Sequence, residues 1–445
     1  MVSLASGATW AICAAATAAV LTRPFRWPEA IWAVLGAILL LLSGLIPLSA
    51  GLSAVAKGTD VYLFLIGMML LSETAREQGL FDWVAATAAI NAKGSTARLF
   101  LLVYVTGIVT TTFLSNDATA VVLTPAVYAA AKKGNAEPLP LLFACALIAN
   151  AASFVLPISN PANLVLYGGK MPPLGQWFGS FALPSLAAIA VTYGSLRWIE
   201  RKRLAGACEC DVERDLLSSG GKAAFAGIAA TALLLILMSA FDLPLGLPTC
   251  LAGLATTLGV CALARRSPIK LARSVSWSVL PLVAGLFVLV EALDRTGVIQ
   301  HVAAALKASA SDPAKGAAVA GTILAFTSNL MNNLPAGLVA STAVAQAHPP
   351  RLIIDGLLIG VDLGHILSIT GSLATILWLQ AIRREGEDVG FWRFLKVGVV
   401  TMIPALAAAL GARPADRLEG DTRWVLPGSS RSLPSQASFR RPAPP

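Results

Sequence analysis

Charge is scarce in this chain of 445 residues. Only 13% of them are Asp, Glu, Lys or Arg, whereas soluble domains carry about 25%. The chain therefore cannot cover a water-facing surface, and 56% of it is hydrophobic. Apolar runs of roughly 16 to 22 residues recur between short charged connectors, which is typical of helices that cross a bilayer. We predict an all-α polytopic membrane protein.

Other absences narrow the function. No stretch of about ten residues alternates with period two, which excludes an outer-membrane barrel. The three histidines are scattered at 301, 348 and 365, so they do not supply the paired ligands of an integral-membrane enzyme. No metal-ligand, phosphate-loop or nucleophile-elbow pattern is present. We therefore predict a protein that is no enzyme, with no cofactor and no metal site, driven by an ion gradient or by a partner.

The N-terminal segment and the cysteines add little to the prediction of function. The segment 1–21 lacks a basic n-region, so we expect a first membrane helix and no cleaved signal peptide. The six cysteines do not indicate a disulfide framework. Cys208 and Cys210 lie in a charged segment that we interpret as a solvated linker.

The distribution of Lys and Arg predicts the orientation. One set of connectors carries 21 of the 33 basic residues and the opposite set carries 6. By the positive-inside rule the first set is cytoplasmic, and the net charge of +9 then requires no nucleic-acid partner. The cytoplasmic connectors are 23–28, 76–98, 132–138, 197–222, 265–276 and 383–396.

The chain contains an internal repeat. The segment 67–73 aligns with 285–291 at a spacing of 218, and the Ser-Asn pair at 115–116 aligns with that at 328–329 at a spacing of 213. We predict two halves of five crossings, each with a re-entrant hairpin and a broken helix. Because five is odd, the second half must be inverted relative to the first, as in many alternating-access carriers.

The predicted boundaries follow from this repeat. The regions are a first transmembrane repeat at 1–198, a cytoplasmic linker at 199–222, a second inverted repeat at 223–411 and a disordered tail at 412–445. The hairpins are expected at 113–131 and 326–347. The apolar spans are expected at 4–22, 29–50, 60–76, 98–114, 139–157, 177–198, 223–241, 247–264, 277–293, 316–327, 352–367 and 394–411.

Polar clusters interrupt the apolar runs at membrane depth. Unsatisfied polar groups are costly in hydrocarbon, so these clusters must line a cavity or pair with one another. Their amides and hydroxyls suit a small oxygen-rich solute, neutral or anionic. The predicted substrate-binding residues are Ser115, Asn116, Asn160, Asn163, Ser328, Asn329, Asn332, Asn333, Thr370, Ser372 and Thr375, and the predicted helix breaks lie at Pro157, Pro335 and Gly371.

Two carboxylates lie deep in the predicted spans. Asp117 and Asp362 each need a partner or a proton there, so either one can couple proton movement to substrate movement. His365, beside the second cluster, is a candidate proton relay. Glu73 and Glu291 are each followed by an Arg within four residues, and we predict a structural ion pair for both.

Three strings carry a family resemblance. Phe113-Leu-Ser-Asn-Asp-Ala-Thr119, Leu330-Met-Asn-Asn-Leu-Pro335 and Gly371-Ser-Leu-Ala-Thr375 resemble the arsenical pump membrane proteins, the arsenite efflux permeases of the ion transporter superfamily. The resemblance implies export of trihydroxy-arsenic(III) or antimony(III) across the bacterial inner membrane in exchange for protons. It also implies a cytoplasmic arsenical ATPase as partner, and substrate and ion sites at the hairpins and breaks. This sequence departs from the family's pattern where a Lys usually follows Asp362, and His365 is the candidate to replace that cation.

Two other transport functions stay open. One is a sodium- or proton-coupled carrier of a small anion such as a dicarboxylate, sulfate or silicate. A dianion would favour fixed positive charge, and the predicted site offers none at membrane depth. The other is a passive channel, which applies if neither Asp117 nor Asp362 titrates.

Overall fold

The protein is helical throughout the part that can be described. The computed structural model describes residues 4–168, 171–208 and 216–414. Within these ranges the regular elements are helices, and the only extended pairing is an isolated bridge between Ser95 and Ala207. The all-α prediction is confirmed. The predicted tail beyond 414 and Cys210 in the linker lie outside the described residues.

The first half contains eleven α-helices in the described ranges. They are α1 (Leu4–Thr22), α2 (Glu29–Leu42), α3 (Leu48–Lys57), α4 (Thr59–Glu77), α5 (Leu80–Asn91), α6 (Thr96–Phe113), α7 (Asn116–Ala118), α8 (Thr124–Lys133), α9 (Pro138–Ala151), α10 (Pro161–Tyr167) and α11 (Leu174–Ile199). A π-helical turn, Thr119–Leu123, joins α7 to α8, and 3₁₀ turns occupy Pro24–Arg26, Pro157–Ser159 and Arg203–Ala205.

The second half contains ten α-helices in the same order. They are α12 (Ser219–Ala240), α13 (Gly246–Leu263), α14 (Pro268–Ser274), α15 (Val279–Arg295), α16 (Val298–Ser309), α17 (Pro313–Met331), α18 (Asn333–Ala347), α19 (Arg351–Gly364), α20 (Leu373–Arg384) and α21 (Phe391–Ala412), with a 3₁₀ turn at Ile369–Gly371. The bent pair α3–α4 (47°) matches α14–α15 (45°), and α18 matches the chain from α7 through α8.

Packing between the halves follows the same correspondence. Helix α4 packs against α13, and its counterpart α15 packs against α2. Helix α10 packs against α18, while α20 packs against the π turn and α8. Helices α11 and α21, which are counterparts of each other, also pack together. These exchanged contacts are what a two-fold relation between the halves produces. The inverted insertion and the ten-crossing count stay predictions.

One predicted span is interrupted by a turn, and two others, 139–157 and 352–367, end early at Ala151 and Gly364. The predicted span 29–50 is broken, because α2 ends at Leu42 and α3 begins at Leu48. The cause is local, since Gly44 takes a left-handed φ of 69° and Pro47 precedes the first residue of α3. Six of the described helices are long and apolar enough to cross a bilayer alone, and eight spans result if each bent pair counts as one. The protein is thus a multi-span membrane protein.

Both predicted ion pairs near the ends of spans are confirmed. Arg76 pairs with Glu73 at the end of α4. Arg295 lies 3.2 Å from Glu291 near the end of α15, and Lys57 from the end of α3 also reaches Glu291 at 2.8 Å. Glu291 therefore joins α3 to α15, whereas the pair of Glu73 with Arg76 lies within α4.

Candidate functional site

The first hairpin is formed by α6 and the chain from α7 through α8. Its tip is capped by Ser115, whose Oγ accepts a hydrogen bond from the backbone N–H of Ala118 at 3.3 Å. Thr111 and Thr119 join the two arms through their hydroxyls at 2.8 Å. The π turn precedes Pro125, which has no N–H to continue an α-helical ladder. The tip thus places Asn116 and Asp117 at the start of the returning arm.

The second hairpin, formed by α17 and α18, turns at Asn332. This residue takes a left-handed φ of 75°, and its side chain accepts from the backbone N–H of Leu334 at 3.3 Å. Asn333 and Leu334 are therefore the first residues of the returning arm, 217 positions after Asn116 and Asp117.

This geometry corrects the alignment of the two Ser-Asn pairs. Ser328 and Asn329 lie in the last turn of α17, before the tip, because α17 continues to Met331. The Oγ of Ser328 donates to the carbonyl of Ala325 at 2.8 Å. Asn329 donates to the carbonyl of Gly364 at 2.8 Å. The pair at 332–333 is the structural counterpart of Ser115 and Asn116, so Asn329 joins α17 to α19 beside the tip while Ser328 bonds within α17.

The first helix break separates α9 from α10 at Pro157. Asn163 is fully buried, and its amide donates to the backbone carbonyl of Ser153 at 2.9 Å. Asn160 caps α10 by accepting from the backbone N–H of Ala162 at 3.0 Å. Both asparagines therefore satisfy backbone groups that the break has released.

The second break, between α19 and α20, is built similarly. Ser372 caps α20 by accepting from the backbone N–H of Thr375 at 3.1 Å, and the two hydroxyls lie 2.9 Å apart. Ahead of it, Ser368 donates to Asn329 at 2.7 Å and lies 3.3 Å from the hydroxyl of Thr370. Gly371 fits against His365 closely, because a Cβ there would lie 2.8 Å from the Cα of that residue.

The two breaks are bonded to each other across the halves. Asn160 donates to Oδ1 of Asp362 at 2.7 Å. A second bond across the halves joins Asn150, which lies 212 positions before Asp362, to Thr375 at 3.4 Å. All four side chains are buried. The short bond of Asn160 to Asp362 and the longer bond of Asn150 to Thr375 together hold the two breaks side by side.

A small cavity lies between the tips and the breaks. Five predicted site residues line it, together with Leu65 of α4, Val279 of α15 and the apolar first residues of the returning segments. The predicted residues are Asn116, Asp117, Asn160, Asn333 and Ser372. About 20 Å³ is open to the centre of a water molecule, which accommodates about one water. A larger solute requires the tips to move away from the breaks.

The remaining predicted residues stand behind this lining. Asp362 is fully buried and bonded to Asn160, and Nδ1 of His365 lies 2.8 Å from the carbonyl oxygen of Val361. Because a carbonyl oxygen only accepts, Nδ1 carries a hydrogen in this contact. Of the predicted proton-coupling residues, Asp117 alone is among those lining the cavity. Asn332 and Pro335 border a second cavity next to it.

Four helix starts point their first residues at the cavity. They belong to α7, α10, α18 and α20, whose first or second residues are among its lining. The N–H groups of a first turn lack intrahelical partners and carry a partial positive charge. At each of the four starts a capping side chain already accepts from one of these N–H groups. The site thus combines the other first-turn N–H groups with side-chain amides, one hydroxyl and the carboxylate of Asp117. No Lys or Arg is among the residues that line it.

Sequence reasoning missed two features. Leu65 and Val279 form apolar walls, and nothing distinguishes them in the sequence from other core residues. The second feature is a buried carboxylate, Asp355 of α19, which accepts from Arg413 at 2.9 and 2.6 Å and from Tyr167 at 3.0 Å. Arg413 falls in the predicted tail, and nothing in the sequence links it to a partner 58 residues earlier.

Comparison with known proteins places this architecture. The sequence profile of the CitMHS family, described as Citrate transporter, matches residues 17–361. The Arsenical pump membrane protein of Yersinia enterocolitica is 28% identical over 363 residues, covering 78% of this chain and 84% of that protein. The protein of the same name from Escherichia coli strain K12 is 28% identical over 403 residues, covering 85% and 92%. An uncharacterized transporter of Mycobacterium tuberculosis strain H37Rv is 26% identical over 374 residues, covering 79% and 84%.

Two solved structures are similar in fold. The YdaH transporter of Alcanivorax borkumensis superposes with a TM-score of 0.55 at 15% identity, covering 81% of this chain and 86% of that one. MtrF of Neisseria gonorrhoeae, described within a class of antimetabolite efflux pumps, gives a TM-score of 0.50 at 13% identity, covering 82% of each chain. At these identities the similarity concerns the fold alone.

Proposed function

The chain belongs to the citrate transporter family CitMHS and is a membrane transporter, not an enzyme, and from this premise we propose that it exports arsenite and antimonite in exchange for protons. The observation that carries the proposal is the lining of the cavity. It offers amides, a hydroxyl and helix-start N–H groups around one carboxylate, with no basic side chain among the lining residues.

Trihydroxy-arsenic(III) matches this lining chemically. It is neutral at pH 7, its oxygens accept hydrogen bonds and its three hydroxyls donate them. The helix-start N–H groups and the amides of Asn116 and Asn333 would supply donors, and the carboxylate of Asp117 would accept from a hydroxyl. Relatives named arsenical pump membrane protein, with coverage above three quarters of this chain, support the same substrate class.

Asp117 is the proposed coupling residue. When ionised it accepts hydrogen bonds from the bound metalloid. A proton arriving from the outer face neutralises it, which weakens it as an acceptor, so the solute is released outward and the proton is carried inward as the site turns over. Asp362 is proposed to act through Asn160, by holding the two breaks in register.

The proposed setting is the bacterial inner membrane. The linker 199–222 would lie in the cytoplasm, the two repeats 1–198 and 223–411 would alternate as inverted units, and 412–445 would form the tail. A cytoplasmic arsenical ATPase is a proposed partner of the cytoplasmic face. Co-purification of such an ATPase with the full chain, and not with an unrelated inner-membrane carrier, tests that partner.

The experiment is arsenite accumulation in arsenite-sensitive cells. Cells producing the chain are expected to accumulate less arsenite than empty cells, and an uncoupler should abolish the difference. Accumulation equal to that of empty cells, at confirmed membrane levels of the protein, contradicts the proposal.

A small-anion carrier is the second candidate, and one observation favours it. Four helix starts converge on the cavity, and such ends attract anions. The family description points the same way. The carboxylate of Asp117 opposes it, because a dianion beside an ionised carboxylate is repelled. Uptake of citrate, succinate or sulfate driven by a sodium or proton gradient would select this function.

A further inference from the structure

A second cavity continues from the candidate site toward the loop between α1 and α2. It shares Leu334 and Leu373 with the first cavity. Its wall is formed by Leu282 and Leu286 on α15, and Glu29 at the start of α2 lies at its end. The two cavities together outline an approach to the site. The approach is narrow, because the centre of a water molecule can occupy only about 10 Å³ of the second cavity.

The end of this approach carries an ion pair. Arg23, in the loop, pairs with Glu29. Their side chains are only 16% and 14% exposed, and removing one of two partly buried charges leaves the other uncompensated. The two groups therefore hold the loop against the start of α2, beside the part of the second cavity that Val20 and Glu29 line.

The two halves differ in how the matching helices pack. The positions equivalent to Leu282 and Leu286 are Phe64 and Met68 on α4, 218 residues earlier, and all four side chains are buried. There α10 packs directly on α4, whereas the equivalent contact of α20 with α15 is weaker. The approach therefore runs toward the α1–α2 loop. On the topology that the basic connectors predict, this loop is cytoplasmic.

We propose that the Arg23–Glu29 ion pair is the cytoplasmic gate of the transport path. The pair closes the approach when it is formed, and its separation admits the solute from the cytoplasm to the cavity between the hairpin tips. This inference rests on the proposed transport function and on the predicted topology. It identifies Arg23 and Glu29 as residues that control access, without contact to the solute once bound.

The test measures access directly and does not depend on the substrate. Leu286→Cys provides a thiol in the wall of the approach, at a position that is 2% exposed. Inside-out vesicles are treated with a membrane-impermeant maleimide, and labelling in excess of the parent protein is followed over time. Adding Glu29→Gln should raise the labelling rate about fivefold, since a paired charge of this kind contributes on the order of the thermal energy to closure.

Two further variants separate the gate from a general loosening. Arg23→Glu combined with Glu29→Arg restores an ion pair of reversed polarity and should return labelling to the slow rate. Glu291→Gln breaks the pairs with Lys57 and Arg295 at the far end of α15 and should leave the rate unchanged. Should Glu29→Gln not accumulate in the membrane, Arg23→Gln replaces it, with the same expected increase.

The outcomes distinguish this proposal from the transport proposal. An unchanged rate in Glu29→Gln, or labelling only from the outer face, overturns the gate even if arsenite export persists. Faster labelling in Glu29→Gln, slow labelling in the reversed pair and no arsenite export in the parent protein support the gate and contradict the proposed substrate.

Discussion

The tips of the two hairpins have the same geometry and different chemistry. Asn116 and Asn333 each follow a capping residue at the start of a returning arm, and both line the cavity. The next residue also lines the cavity in both halves, but it is Asp117 in the first and Leu334 in the second. The repeat thus provides two equivalent places, and only one holds an ionisable group. On the proposed mechanism, coupling therefore belongs to the first half.

At the breaks it is the second half that carries the carboxylate. In the second half Asp362 stands where the first half has Asn150, and it bonds to Asn160 at 2.7 Å, whereas Asn150 reaches Thr375 at 3.4 Å. The carboxylate of the second half is committed to this contact behind the lining. The two halves therefore differ, with one carboxylate lining the cavity and the other bonded behind it.

The largest expected effect comes from removing the charge at the first tip. Asp117→Asn keeps the shape and should bring arsenite accumulation to the level of empty cells, because the proton-binding group is lost. Leu334→Met, the matched change at the second tip, should retain export. Uncoupler-sensitive export in Asp117→Asn would show that coupling does not reside there.

The next effect concerns stability at the outer end of α19 on the predicted topology. Arg413→Gln leaves the fully buried carboxylate of Asp355 without its close cation, which costs on the order of 3 kcal/mol. The measurement is the thermal unfolding midpoint in detergent. Combining it with Asp355→Asn should recover most of the loss, because no uncompensated charge then remains. A single variant as stable as the parent would mean that Arg351, 3.8 Å from the same carboxylate, suffices.

A smaller effect is expected for the carboxylate behind the cavity. Asp362→Leu leaves the amide of Asn160 without its acceptor and should cost about 1–3 kcal/mol of stability. Asp362→Asn offers a carbonyl to the same amide and should be milder. If Asp362→Asn abolishes export while retaining parental stability, Asp362 carries a proton as well as positioning the breaks.

The smallest effect is expected at the equivalent place in the first half. The bond of Asn150 to Thr375 is long, and Thr375 keeps its contact with Ser372, so Asn150→Leu should cost less than Asp362→Leu, about 0.5–1 kcal/mol. The comparison of the two melting temperatures sharpens the assignment of roles. Equal losses would indicate that the two bonds contribute equally and that the halves are symmetric at the breaks.

Much of the fold was accessible from composition and order. Long apolar runs separated by charged connectors predicted helices, because a bilayer leaves few other ways to satisfy the backbone. The repeat at spacing 218 predicted matching halves, and the element order agrees with it. The register of the hairpin tips was not accessible, since the similar Ser-Asn letters at 328–329 hid the true tip at 332, where a left-handed residue ends α17.

The candidate site was predictable by residue type and only partly by position. Polar groups at membrane depth are rare, so the sequence predicts Asn116, Asp117, Asn160, Asn333 and Ser372 as site residues. The same pattern also predicts Asn163 and Asn329, whose amides bond backbone carbonyls. Sequence cannot separate a polar side chain that faces a cavity from one that satisfies a broken helix, because both are costly to leave unpaired.

The sequence by itself determined the helical class, the membrane setting, the two matched halves and the residue types of the site, because each follows from local hydrophobicity and from the cost of buried polar groups. Only the tertiary structure decided which carboxylate lines the cavity, which one is bonded behind it, and which arginines pair with Asp355 and Glu29. Those outcomes depend on contacts between distant segments, including the 202 residues that separate Asn160 from Asp362. Such pairings are set by how the two halves pack, and no local pattern encodes them.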